Sequence, residues 1–175
     1  MNDPRCVAES NDMLNYTWLR AVLLGVMACV VLAACAGKPP KPAKAHLSIA
    51  ASADTNPDVA GRPSPVVVRL YQLKDDAAFS NAGFFAIFDQ EEATLGGSLL
   101  SREEFVLNPG ESRSLDIALV NEAKFVGLAA AFRDIRNTQW REIKAAPVKG
   151  LTDMIKKDAL KIVVERSRVT LAIAD

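Results

Sequence analysis

The sequence predicts a mainly β protein, a two-sheet β-sandwich with a small helical insertion. Three observations lead there. Short stretches within residues 46–175 alternate apolar and polar side chains with a period of two, the pattern of a strand buried on one face. Turn-forming residues separate them; Asn108-Pro109-Gly110-Glu111 sets proline and glycine at the two central turn positions. Between about 75 and 95 the period becomes helical, and four of the seven phenylalanines crowd into residues 79–88. Strands with one apolar face must hide it against a second layer, and several short ones make a sandwich.

The first strand is expected over 46–53, with Leu47, Ile49 and Ala51 on one face. Residues 54–65 hold three prolines, Gly61 and several short polar side chains, so they read as a loop. It is long for a connection between strands, and long loops in small domains are often functional. Val66–Leu73 is the strongest strand, rich in β-branched and aromatic residues. Asp75 or Asp76 then caps a short helix through Phe79, Asn81-Ala82-Gly83 breaks it, and Phe84 and Phe88 fall one turn apart on a second helical cluster. The expected use of these rings is to cover the open end of a sheet; a ligand pocket is the alternative. Gly96-Gly97 ends the excursion.

Strand character returns at 102–107, and 112–119 answers it across the turn, which together read as a hairpin. Residues 125–132 follow as a strand whose glycine and alanines would let a facing sheet approach closely. Residues 133–137 read as a turn, 138–145 as a strand carrying Trp140, and 147–157 as irregular, with a helical turn as an option. The chain closes with alternation over 160–164 and 169–173, reversed by 165–168.

The front of the chain carries a different signal. An apolar run from Leu19 ends in Leu32-Ala33-Ala34-Cys35. Small residues before a cysteine suit a signal peptidase, and the cysteine thiol can then accept a diacylglycerol. Residues 1–34 are therefore expected to be a lipoprotein signal peptide, with Cys35 as the lipidated first residue. The run falls short of the ~20 residues that span a bilayer, and Gly37, Lys38, Pro39 and Pro40 stop it at once. Three acyl chains, at ~0.8 kcal/mol per buried methylene, would anchor the domain durably. Asp3, Glu9 and Asp12 stand where a signal normally is basic, so translation is expected to start at Met13, leaving Arg20 in a short positive region. Ala36, rather than an aspartate, points to the outer membrane. Residues 35–45 read as a Pro/Lys-rich tether, extended by about 30 Å, leaving 46–175 as the sandwich domain.

Composition excludes several classes. The 21 basic and 21 acidic residues become 19 and 18 once 1–34 are removed, so nothing suggests the basic face that nucleic acid requires. Cys6 and Cys29 leave with the signal, so no disulfide can form within the mature chain. No zinc spacing, phosphate loop or nucleophile motif is present. The one histidine, His46, would have to serve any Ser–His–Asp triad. Asp75/Asp76 and Glu91/Glu92 read as a cap and a solvated face, and Glu103/Glu104 as a strand edge. No catalytic residue, metal or cofactor is expected. An anchored β domain with a protruding loop suggests a docking module. The alternative is a glycan- or peptidoglycan-binding module, with Trp140 or Tyr71 as a stacking platform.

Asn56-Pro57-Asp58, the run from Gly61 through Arg69-Leu70-Tyr71-Gln72-Leu73-Lys74, then Phe79 and Phe84-Phe85, resemble one family. So do Leu95-Gly96, Asn108-Pro109-Gly110-Glu111, Val126-Gly127, Phe132-Arg133-Asp134 and Trp140-Arg141. The family is TssJ (SciN), outer-membrane lipoproteins of bacterial type VI secretion systems. The resemblance is clearest over 46–145. It implies a transthyretin-like sandwich on the periplasmic face of the outer membrane. It also implies a partner: the periplasmic C-terminal domain of the inner-membrane protein TssM, which connects with TssL. The family's partner-contacting loop maps to 54–64, making Asn56, Pro57, Asp58, Val59, Gly61 and Arg62 the expected binding residues, Val59 and Arg62 foremost. Without the resemblance, 54–64 reads as a plain connection.

Overall fold

Eight strands stand among the described residues, in two four-stranded sheets. The computed structural model describes residues 43–147 and 160–173. The signal peptide, Cys35, the alternative start Met13, the tether to residue 42 and the irregular stretch 148–157 lie outside them. One sheet has the order β4-β1-β7-β8, the other β3-β2-β5-β6. The strands are β1 (Ala43–Ala51), β2 (Val66–Leu73), β3 (Leu99–Leu107), β4 (Ser112–Leu119), β5 (Phe125–Ala131), β6 (Arg141–Ala145), β7 (Leu160–Val164) and β8 (Val169–Ile173). The alternating apolar faces meet between the sheets: Leu47 and Ile49 of β1, Val66, Val68 and Leu70 of β2, Leu128 of β5, Ile162 of β7 and Leu171 of β8 are buried together.

β1 begins at Ala43, before the expected 46. Ala45 is buried and opposite Ile117, so the alternation of Leu47, Ile49 and Ala51 extends backward by one small residue that composition alone assigns to the tether. β6 is shorter than expected, and Trp140 precedes it.

The hairpin expected around Asn108-Pro109-Gly110-Glu111 is overturned. The turn itself forms: the Glu111 amide donates to the Asn108 carbonyl at 3.0 Å, and Gly110 takes φ 75°. But β3 pairs with β2 and β4 with β1, so the turn carries the chain from one sheet to the other. Each strand offers an apolar face to the same core from opposite sides. Turn chemistry fixes a local reversal, not which sheet receives the next strand.

The insertion comprises α1 (Ala77–Asn81), α2 (Phe84–Asp89), α3 (Glu91–Leu95) and a 3₁₀ turn at Gly96–Ser98. It covers the outer face of the β3-β2-β5-β6 sheet, not an open end. There it builds a second core from Tyr71, Leu73, Phe79, Ile87, Leu95 and Ala129. Phe79 approaches Gly127 so closely that a Cβ there would stand 3.0 Å from Phe79 Cζ. The small residues of β5 thus admit a helical ring, where a facing sheet was expected. Asp76 occupies the N-cap of α1 without a side-chain capping bond. Phe84 and Phe88 stack with centroids 4.4 Å apart, but both are half-buried; the fully buried residue of α2 is Ile87.

Arginines clamp the insertion. Arg69 donates to the Phe88 carbonyl at 2.9 Å and pairs with Glu104 at 2.7 Å and Glu91 at 3.5 Å. Arg141 donates to the carbonyls of Phe79 and Ala82 at 3.0 and 2.6 Å. Glu91 also meets Arg102, so it belongs to an ion-pair network and not to a solvated face. Burial raises the Tyr71 pKa beyond its ordinary value. Its hydroxyl is the one buried side-chain polar atom without a hydrogen bond among the described residues. Gln72 crosses to the other sheet, donating to the Ala118 carbonyl at 2.8 Å and accepting from the Val120 amide at 2.7 Å. The Arg69–Leu73 run therefore has a use at every position: clamp, core, second core, inter-sheet bridge, second core.

Candidate functional site

β1 gives the domain two distinct ends. The chain enters at Ala43, and nine extended residues, about 30 Å at ~3.3 Å each, separate that point from the 52–65 loop. At the loop end the strand pairings also gather the 108–111 turn, segment 132–140 and the 165–168 reversal.

The base of the loop is buried. Thr55 donates its hydroxyl to the Glu165 carbonyl at 3.0 Å, and the Ser64 amide reaches the Thr55 carbonyl at 3.2 Å. Asn56 is 3% exposed and sits at φ 49°, the left-handed region that asparagine tolerates better than most residues. Its amide donates to the Arg166 carbonyl at 3.1 Å and its Nδ2 to the Pro65 carbonyl at 2.6 Å. Its Oδ1 accepts from the Arg133 amide at 2.8 Å. One side chain thus ties the loop to β5's exit and, through its backbone, to the β7–β8 reversal.

The tip is held by Asp58. Oδ1 accepts from the amides of Ala60 and Arg62, both at 2.9 Å, and Oδ2 pairs with the Arg62 guanidinium at 2.8 Å. Gly61 takes φ 79° to close the turn. The Arg62 amide first, then its guanidinium, holds the Asp58 carboxyl below the usual aspartate range. Val59 at the apex is fully exposed.

Of the six residues expected to bind a partner, Val59, Gly61 and Arg62 are exposed, while Pro57 and Asp58 are half-buried. Asn56 is inside and its polar atoms are engaged, so it positions the loop. Thr55 and Ser64 share that role and were not singled out from the sequence. Their signal is weak, because a buried threonine in a polar loop looks like any other.

Beside the loop lies a concavity of about 610 Å³, lined by Asn56–Val59, residues 132–134 and 136–138, and Arg166 with Ser167. Three arginines line it: Arg133, Arg136 and Arg166. Sequence reading placed them in two ordinary turns; only the pairing of β5 and β7 with their neighbours brings the turns together.

The other candidates fare differently. Tyr71 is wholly buried beneath the insertion and has no open ring face. Trp140 packs edge-on against Phe84 at 5.3 Å and under Arg141. His46 Nδ1 lies 3.0 Å from Asp116 Oδ1, its cross-strand neighbour on β4. Among the described residues no group of three His, Cys, Asp or Glu side chains could hold a metal.

Residues 43–167 match the model of the type VI secretion lipoproteins, T6SS-SciN, which takes in VasD, EvfM and TssJ. The chain belongs to this family. Among solved structures, it is 31% identical to the T6SS lipoprotein TssJ1 from Pseudomonas aeruginosa, over 77% of this chain and 98% of that one, with a TM-score of 0.68. It is 25% identical to Serratia marcescens Lip, a membrane-bound component of the type VI secretion system, over 74% and 96%, with a TM-score of 0.66. A chain in the structure described as the T6SS protein TssM C-terminal domain from EAEC is 33% identical, over 75% and 98%, with a TM-score of 0.60. No curated protein matches the chain. These likenesses establish a T6SS lipoprotein with the β-sandwich of the TssJ structures.

Proposed function

We propose that this TssJ-family lipoprotein is acylated at Cys35, sits on the periplasmic face of the outer membrane, and docks the periplasmic domain of a TssM-like inner-membrane protein, which connects with TssL. The observation that carries the reading is the 52–65 loop. It stands at the end of the sandwich opposite the chain's entry, pinned at its base by Asn56 and cross-braced at its tip by Asp58, with Val59 bare at the apex. A loop already held in shape loses little freedom on binding, so its contacts convert more fully into affinity. The family supports the docking role, as does the 33% identical chain found in a structure named for TssM.

The test is capture of the TssM-like periplasmic domain by the mature lipoprotein. Replacing all of 54–64 would remove buried Thr55 and Asn56, so the informative variants touch the tip alone. Val59→Asp should leave the melting temperature unchanged and abolish capture; undiminished capture would remove the tip from the mechanism. Cys35→Ser should give protein without fatty acid by mass spectrometry and silence secretion. Normal secretion by that variant would overturn the anchor.

A further inference from the structure

We propose that the arginine-lined concavity beside the loop receives acidic side chains of the docking partner, so that the partner surface pairs an apolar contact for Val59 with carboxylates for Arg133, Arg136 and Arg166. The proposal rests on the docking function above and specifies the chemistry of its partner.

The charges of the concavity do not cancel. Three arginines line it against two acidic residues, Asp58 and Asp134. Both carboxylates are already occupied, Asp58 by Arg62 and two amides, Asp134 by Asn137 Nδ2 at 2.8 Å. Arg166 reaches Asp54 at 3.8 Å, with both side chains more than half exposed. Neither Arg133 nor Arg136 forms an ion pair among the described residues, and both are exposed. Elsewhere Arg102 and Arg113, both exposed, meet carboxylates at 3.4 and 3.3 Å. Arg133 and Arg136, the exposed arginines without an ion pair among the described residues, thus stand beside the projecting loop, Arg133 near enough for its charge to act on Asp58.

The type of cation matters as well. Among the described residues no lysine lines the concavity, whereas Lys44, Lys74, Lys124 and Lys144 stand at the ends of strands near the chain's entry. A guanidinium offers a rigid fork that matches a carboxylate with two parallel hydrogen bonds, which an ammonium cannot do. The fork is also held by its base. Asn56 accepts from the Arg133 amide and donates to the Arg166 carbonyl, so two of the three arginines spring from backbone fixed to the same loop. The volume, about 610 Å³, accommodates a few partner side chains.

The experiment measures affinity of the mature lipoprotein, in uncharged detergent, for the TssM-like periplasmic domain at low and high salt. Arg133→Glu with Arg136→Glu should weaken binding on the order of tenfold or more and flatten its salt dependence. Arg133→Lys with Arg136→Lys should recover part of the loss. Should the reversal lower the melting temperature, Arg133→Gln with Arg136→Gln removes the charge without adding one and decides by the same readout. Equal, salt-insensitive binding by wild type and reversed protein, with Val59→Asp still deficient, overturns the acidic-partner proposal and leaves docking standing. Failure of the wild type to bind overturns docking and this proposal with it. Loss of binding to anionic phospholipid vesicles in the reversed protein, with domain capture intact, assigns the arginines to lipid and overturns the proposal.

Discussion

The two long excursions of this chain, the 52–65 loop and the insertion between β2 and β3, solve opposite problems. The loop is polar and is held by hydrogen bonds at its base, which leaves its tip free to present side chains. The insertion is held mainly by packing its apolar side chains, Phe79, Ile87 and Leu95, against Tyr71, Leu73 and Ala129, with arginine bonds to its carbonyls in addition; Phe79 is hidden while Phe85 stays exposed. A segment fastened by hydrogen bonds at its base can expose the side chains of its tip, whereas one fastened by apolar packing must bury the side chains that do the packing. This is why the phenylalanine-rich segment, the more conspicuous in composition, is mainly architecture, and the plainer loop is the candidate for recognition.

The comparison can be broken from either side. The largest effect is expected in the insertion: Phe79→Ala should destabilise by ~3–5 kcal/mol, read as a lowered denaturation midpoint, because Phe79 fills the space between Gly127 and Tyr71. Next comes the base of the loop. Asn56→Ala orphans the Arg133 amide and the Pro65 carbonyl, at about 1–3 kcal/mol for a buried unsatisfied group, and should also weaken partner capture; a drop in stability with full capture would separate the base from the tip. Phe84→Ala should cost less than Phe79→Ala, losing its ring contacts with Phe88 and Trp140 at about 0.5–1.5 kcal/mol each, because it is only partly buried.

Smaller still is the acid response of the tip. The Asp58 carboxyl lies below its ordinary 3.8 in the folded protein, so its contribution is complete above 3.8 and is lost as pH falls through the lowered folded value. Melting temperatures of wild type and Asp58→Asn should differ at neutral pH and converge in acid; a constant offset would show that the carboxylate charge is not what braces the loop. Val59→Asp should leave stability unmoved while capture disappears. If it melted lower, the apex would be packed rather than presented.

Much of the fold was legible. β2 and β4 fall where alternation and turn residues place them, and the final hairpin reverses at 165–168 as expected. The helical character of the insertion followed from its change of period, though α3 and the surface it covers did not. What escaped was pairing. Nothing near Asn108-Pro109-Gly110-Glu111 reveals that β3 and β4 enter different sheets, or that β1 runs parallel to β7. In the candidate site, Val59 and Arg62 were readable as exposed loop residues, but the burial of Asn56 and its bonds to three separate segments were not. A polar side chain looks the same in sequence whether it faces solvent or satisfies buried backbone groups.

By itself the sequence determined the class of the domain, its strand faces and, through its motifs, its family. These rest on local period, turn geometry and spacing, which neighbouring residues settle among themselves. The tertiary structure alone decided that Arg133 and Arg136 share a concavity with Arg166, that Gly127 must lack a side chain for Phe79, and that Asn56 is a fastening. Each depends on segments distant in the chain meeting in space, and only the burial of both sheets' apolar faces in one core dictates that meeting.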